Sequence, residues 1–118
     1  MNKVTNTNQI NQFEPINVIG LLVKGVIKMY NIQDIIYLEG KRNYTKVVTT
    51  NDSVIITKTI NTIHLRLPST FIRIHKSYVL NINQCLYLDM NQRHVITINK
   101  ELLPISIRLK KNLGIYIL

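Results

Sequence analysis

The chain has 118 residues, 46% of them hydrophobic, which is enough for one packed domain and too apolar for a disordered one. Fifteen Lys and Arg against six Asp and Glu leave a net charge of +9, which points to an anionic partner, nucleic acid before an anionic membrane surface. Cys85 is the only cysteine, so an intramolecular disulfide is excluded and a reducing, cytoplasmic setting is expected.

No apolar run approaches the roughly 20 residues of a membrane span, and residues 1–14 lack the apolar core of a secretory signal. Ile and Val are frequent and Ala is absent. That balance favours strands, because β-branched side chains suit a pleated, half-buried surface.

Residues 1–15 read as a flexible polar tail, and 16–118 as one folded domain that begins after Pro15. Leu21–Val23 and Val26–Tyr30 are expected to pair around Lys24-Gly25. Asp34 precedes the apolar run Ile35–Glu39, a buried strand. A basic loop, Gly40-Lys41-Arg42-Asn43, leads into the strand Tyr44–Thr49. Asn51-Asp52 suits a hairpin turn into Ser53–Thr57. Lys58–Leu67 carries the one clear helical period, with Ile60, Ile63 and Leu67 on one face and Pro68 as the stop.

Phe71-Ile72-Arg73-Ile74-His75-Lys76-Ser77-Tyr78-Val79-Leu80-Asn81 then reads as a short extended segment. It places two cations, a histidine, a hydroxyl and an amide between apolar residues, more groups able to bond phosphates and base edges than a core strand needs. A second hairpin is expected from Cys85–Asp89 and Arg93–Asn99, turning at Met90-Asn91-Gln92. Leu102–Ile105 is a last short strand, and Ser106 is placed to cap a short helix through Leu113, with Gly114 past its end. Ile115–Leu118 is apolar and could pair with an edge strand.

Catalytic readings find little support. The six acidic residues are scattered, with no pair set as general acid and base. Cys85 lies close to Leu86 and Leu88 and reads as a small core residue. His64, His75 and His94 lack metal-ligand spacing, and the four glycines are isolated, so no metal, phosphate loop or other cofactor is expected. The cations, by contrast, fall into three groups. Lys41, Arg42 and Lys46 flank Asn43 and Tyr44; Arg73, His75 and Lys76 precede Ser77; Arg108, Lys110 and Lys111 lie at the last helix. Each group is at the end of an element or in a loop, where recognition residues concentrate. Arg and Lys pair with phosphates and guanine acceptors, and Asn pairs with adenine. Any one group alone would read as a solvated face; three on one small basic β domain favour double-stranded DNA.

The segment Phe71–Asn81 closely resembles the signature of the LytTR family of bacterial DNA-binding domains. Two further segments extend the resemblance: Ile35-Ile36-Tyr37-Leu38-Glu39 followed by Asn43-Tyr44-Thr45-Lys46-Val47, and the closing run Leu103–Leu113. In that run the family commonly has two adjacent basic residues and then an aromatic; here Ile107 stands for the first and Leu109 for the aromatic. The resemblance implies a mostly β fold of small antiparallel sheets, with one short central helix and a short C-terminal helix, that recognises DNA without a helix-turn-helix. It implies loops entering successive major grooves, with contacts at Asn43–Tyr44 and Lys46, at Lys76 after His75, and at Arg108.

The function expected is sequence-specific binding of double-stranded DNA as a transcription regulator on direct-repeat sites, with a second copy on the adjacent half-site. Family members are often fused to a receiver domain; either a stand-alone regulator or a domain excised from a longer protein is expected here, the first preferred. Two other readings are an interaction module that has lost DNA reading and blocks a related regulator, and a non-specific RNA-binding β protein. The last lacks an exposed aromatic pair at strand spacing to stack bases.

Overall fold

The computed structural model describes residues 17–118. The expected tail, residues 1–15, lies outside the described residues. Among the described residues, ten strands form three antiparallel sheets. The first is a hairpin of β1 (Val18–Val23) and β2 (Val26–Asn31). The central sheet holds β3 (Ile35–Lys41), β4 (Tyr44–Thr49), β5 (Ser53–Ile56), β6 (Phe71–His75) and β7 (Tyr78–Asn81), in the order β5-β4-β3-β7-β6. The third sheet holds β8 (Cys85–Asp89), β9 (His94–Thr97) and β10 (Leu102–Pro104). One α-helix, α1 (Ile60–His64), joins β5 to β6, and a 3₁₀ turn spans Lys110–Tyr116. The mostly β expectation therefore holds.

The central sheet is covered on both faces. Ile35, Leu38, Val47, Val54, Ile56, Phe71 and Val79 pack with Leu21 of the hairpin and with Ile60 and Ile63 of α1. Ile36, Tyr37, Val48, Ile72, Ile74 and Leu80 pack on the other side with Val95, Leu103, Ile105 and Leu113. Double coverage explains why Ile35 to Leu38 are all buried rather than alternating. A register shift between Ile35 and Tyr37 also turns two successive residues, Ile36 and Tyr37, to the same face. Buried Asn81 donates from Nδ2 to the Ile35 carbonyl at 2.9 Å, so its amide is satisfied within the core.

Several boundaries differ from those read in the sequence. The first hairpin begins at Val18, three residues earlier than expected, because Gly20 continues the ladder opposite Met29. A Cβ at Gly20 would meet Ile27 Cγ2 at 2.7 Å, so cross-strand side chains lie where that Cβ would stand. Its turn has both Lys24 and Gly25 at positive φ, 51° and 81°, the two-residue geometry that suits strand twist. Gly40 and Lys41 belong to β3, and only Arg42-Asn43 remain as a turn, with Arg42 at φ 60°.

The helix is shorter than Lys58–Leu67. Thr59 is its N-cap and accepts the Thr62 amide at 3.3 Å; beyond His64 the chain tightens into turns that end at Pro68. The segment Phe71–Asn81 is a hairpin, not one extended piece, because Lys76-Ser77 turns β6 back on β7. At the C-terminus Ser106 Oγ accepts the Leu109 amide at 3.1 Å, as expected of a cap, but the element it introduces is a 3₁₀ turn that runs through Gly114. Ile115–Leu118 is exposed and pairs with no strand among the described residues.

Ile63 is the deepest α1 side chain in the core. Ile63→Ala should cost about 2–5 kcal/mol of stability, measured by urea unfolding. A loss under about 0.5 kcal/mol would mean that α1 does not anchor this face.

Candidate nucleic-acid interface

Sheet topology carries two turns to one end of the molecule. β3 and β7 run antiparallel with Glu39 opposite Tyr78, so the end of β3 meets the start of β7. The β3–β4 turn at Arg42-Asn43 and the β6–β7 turn at Lys76-Ser77 are therefore neighbours. Gly40 N–H donates to the Ser77 carbonyl at 2.8 Å and joins them directly. The closing segment is tied to the same place: Ser106 N–H donates to the Ile74 carbonyl at 2.8 Å, and Asn112 Nδ2 donates to the Arg73 carbonyl at 2.9 Å. The three cationic groups, dispersed in sequence, thus lie along one end of the central sheet.

Within that end the side chains divide into exposed and partly buried ones. Lys41, Arg42, Asn43, Tyr44, Lys76, Arg108, Lys110 and Lys111 are exposed. Lys41, Arg42, Asn43 and Tyr44 line a shallow notch of about 350 Å³. Lys46, Arg73, His75 and Ser77 are partly buried. Lys46 stands opposite Glu39, Glu39 opposite Tyr78, and Tyr78 opposite His75, making one row across four strands. Glu39 is the single acid of the row: its Oε2 accepts from Tyr78 Oη at 3.1 Å and pairs with Lys41 Nζ at 3.2 Å. The Tyr78 ring meets His75 edge-on, with centroids 5.7 Å apart.

Arg73 is turned inward. Its Nε donates to the His75 carbonyl at 2.9 Å, one terminal nitrogen donates to the Lys76 carbonyl, and the other donates to Asn61 Oδ1 of α1 at 2.5 Å. Two carbonyls of the Lys76 turn are thus held by one planar guanidinium, a role lysine cannot copy. Burial lowers the Arg73 pKa, and the nearby Arg108 cation lowers it further. Two like charges at close quarters are what an anion would relieve.

His75 holds the same turn from the other side. Its Nδ1 accepts the Ser77 amide at 3.0 Å, so the neutral ring carries its proton on Nε2. Partial burial, then Lys76, then Arg73 push its pKa below the ordinary 6.5. Asn61 escaped the sequence reading, since nothing in the order of residues links it to Arg73 twelve positions away. Glu39 and Asn112 lay in the matched segments, but their partners Tyr78 and Arg73 were not read there.

Elsewhere, Cys85 is half-buried, packs against the second core cluster, and burial raises its pKa. Among the described residues there is no group of three His, Cys, Asp or Glu that could hold a metal, and no helix is long and apolar enough to cross a membrane.

The His75 geometry gives a pH dependence. A histidine whose folded pKa lies below its unfolded value binds fewer protons when folded. Its stability contribution is complete above about pH 6.5 and is lost as pH falls through the folded value. Thermal melts from about pH 8 to about pH 5 should show Tm falling, and His75→Gln should flatten the fall. Equal slopes for the two proteins would remove His75 as the cause.

Comparison with known proteins identifies the family and the fold. The family model for the LytTr DNA-binding domain matches residues 25–116. Transcriptional regulatory protein NatR of Bacillus subtilis (strain 168) is 32% identical over 84 residues, covering 69% of this chain and 36% of that protein, so this chain spans about a third of the relative. The solved LytTr DNA-binding domain of a Bacillus cereus protein superposes with a TM-score of 0.71 at 22% identity, over 82% of this chain and 93% of that one, a likeness of fold. The match over residues 25–116, which contains all three cationic groups, means that the chain belongs to the LytTR family of DNA-binding domains of transcription regulators, a binding class and not an enzyme class.

Proposed function

We propose that this chain reads double-stranded DNA in a sequence-specific manner and acts as a bacterial transcription regulator through the end of the central sheet. The observation that carries the reading is the convergence there of three cationic groups, tied by the Gly40–Ser77, Ser106–Ile74 and Asn112–Arg73 hydrogen bonds. A basic surface built from turns on a rigid sheet suits DNA, because phosphates supply the affinity and a few projecting side chains supply the reading.

Lys76 and Arg108 carry base readout. Both are exposed, and both stand where the family's motifs imply contacts. Asn43 and Tyr44, at the neighbouring turn, add contacts to base edges or sugar, and Lys41 and Arg42 add charge. Lys46 contributes from within β4. Lys110 and Lys111, exposed at the start of the 3₁₀ turn, hold the phosphate backbone. Arg73 acts mainly by fixing the turn that presents Lys76, since its guanidinium is already engaged, while His75 Nδ1 and the Ser77 backbone brace the same turn.

If about five phosphates are neutralised, log K should fall against log salt with a slope of roughly −4 to −5. Arg108→Ala should cost about 1–3 kcal/mol on the selected site and relax preference at one base position. Lys111→Ala should weaken every duplex alike. Fluorescence anisotropy on selected and random duplexes, with single-stranded RNA alongside, tests these roles. Equal losses for both variants on both duplexes would refute the division, and preference for RNA would refute the reading as a whole.

Two copies are proposed to sit head to tail on direct repeats, one per half-site, with no two-fold interface required. Sedimentation should then show a monomer alone, one copy on a single half-site and two on a double site. A stable dimer at micromolar concentration without DNA would overturn this arrangement.

A further inference from the structure

On the α1 side of the central sheet, β1 leans on β5 but does not close against α1. A cavity of about 520 Å³ opens between the hairpin, β5 and α1. That is within the roughly 300–1,000 Å³ of small-molecule sites. Its apolar lining includes Ile19, Leu22, Ile27, Ile56 and Ile63. Leu22 and Ile27 are cross-strand partners, 53% and 58% exposed, an apolar pair open to solvent at this site. Its polar lining includes Lys58 and Arg66.

Neither cation is paired among the described residues, whose two ion pairs are Lys28–Asp52 and Lys41–Glu39. The walls that carry them are fixed locally. The Lys58 carbonyl accepts from buried Thr45 Oγ1 at 2.8 Å, and Arg66 N–H donates to the Ile63 carbonyl at 3.0 Å. The cavity also lies apart from the proposed DNA surface: its lining shares no residue with the turns at Arg42-Asn43 and Lys76-Ser77 or with the closing segment.

An apolar cleft edged by two unpaired cations is complementary to an alkyl chain ending in an anionic head. A neutral lipid would leave both cations unanswered, and an alkyl cation would be repelled by them. We propose that this cavity is a binding site for a linear amphiphilic carboxylate, with the chain against the hairpin and the head toward Lys58 and Arg66.

The test is an amide NMR titration of the intact chain, without DNA, using decanoate kept below its aggregation range. Saturable shifts are expected at Ile19, Leu22, Ile63 and Arg66. Decanol should bind at least about tenfold more weakly, and the Lys58→Gln/Arg66→Gln double variant should lose at least about tenfold in affinity for decanoate. Leu22→Trp, placed to fill the cavity, should block binding while the rest of the amide spectrum stays native. Equal binding of decanoate and decyltrimethylammonium, undiminished binding to the double variant, or shifts confined to other exposed apolar residues such as Tyr87 and Leu102 would overturn the proposal. Because DNA is absent, these outcomes are independent of whether the chain reads DNA.

Discussion

The pairing of β3 with β7 is the constraint on which the rest of the molecule depends. β3 lies at the centre of the five-stranded sheet, apolar on both faces and hydrogen-bonded on both edges. Because Glu39 is opposite Tyr78, two turns far apart in sequence emerge side by side. A one-residue slip of either strand against the other would turn Leu38 or Val79 away from the α1 side of the core and offset the turns. The double burial of β3 makes such a slip costly, so the core sets the positions of the cationic side chains at the two turns.

Around that frame, short-range bonds set the finer geometry. Arg73 spends its guanidinium on the carbonyls of the turn beside it and on Asn61 of α1. His75 accepts the Ser77 amide, and Asn112 fastens the closing segment to β6. These contacts order the residues that hold before those that reach. A turn held at three points loses little further freedom when it meets a ligand, which is how a preorganised surface gains affinity. Glu39 contributes differently. As the one acid of its row, it holds Tyr78 and Lys41, with its own side chain largely covered.

The two faces of the central sheet are covered by different kinds of element. The third sheet and the 3₁₀ turn pack closely over one face through fully buried Val95 and Leu113. The first hairpin and α1 cover the other less completely, leaving the cleft beside Lys58 and Arg66. A helix of five residues has little length with which to fill the space beside a two-stranded ribbon. The looser face therefore arises from the short helix and not from any lack of apolar residues.

Much of this was legible in the residue order. β-branched content and turn signals specify a mostly β chain; β4 and β8 have the bounds their patterns suggested, because both are flanked by clear turn residues. Order of residue types in three segments pointed to the family. Local pattern overextended α1, since Leu67 keeps the helical period while the backbone tightens after His64. Likewise it read Phe71–Asn81 as one strand, since Lys76-Ser77 carries no glycine, proline or asparagine to announce a turn. What only the tertiary structure decided is which cations face outward. Arg73 and Arg108 look alike in sequence, yet one is bound to its own turn and the other is exposed. The physical reason is that a side chain's free hydrogen-bonding capacity depends on what strand pairing brings within reach, and pairing at a separation of some forty residues leaves no mark on local order.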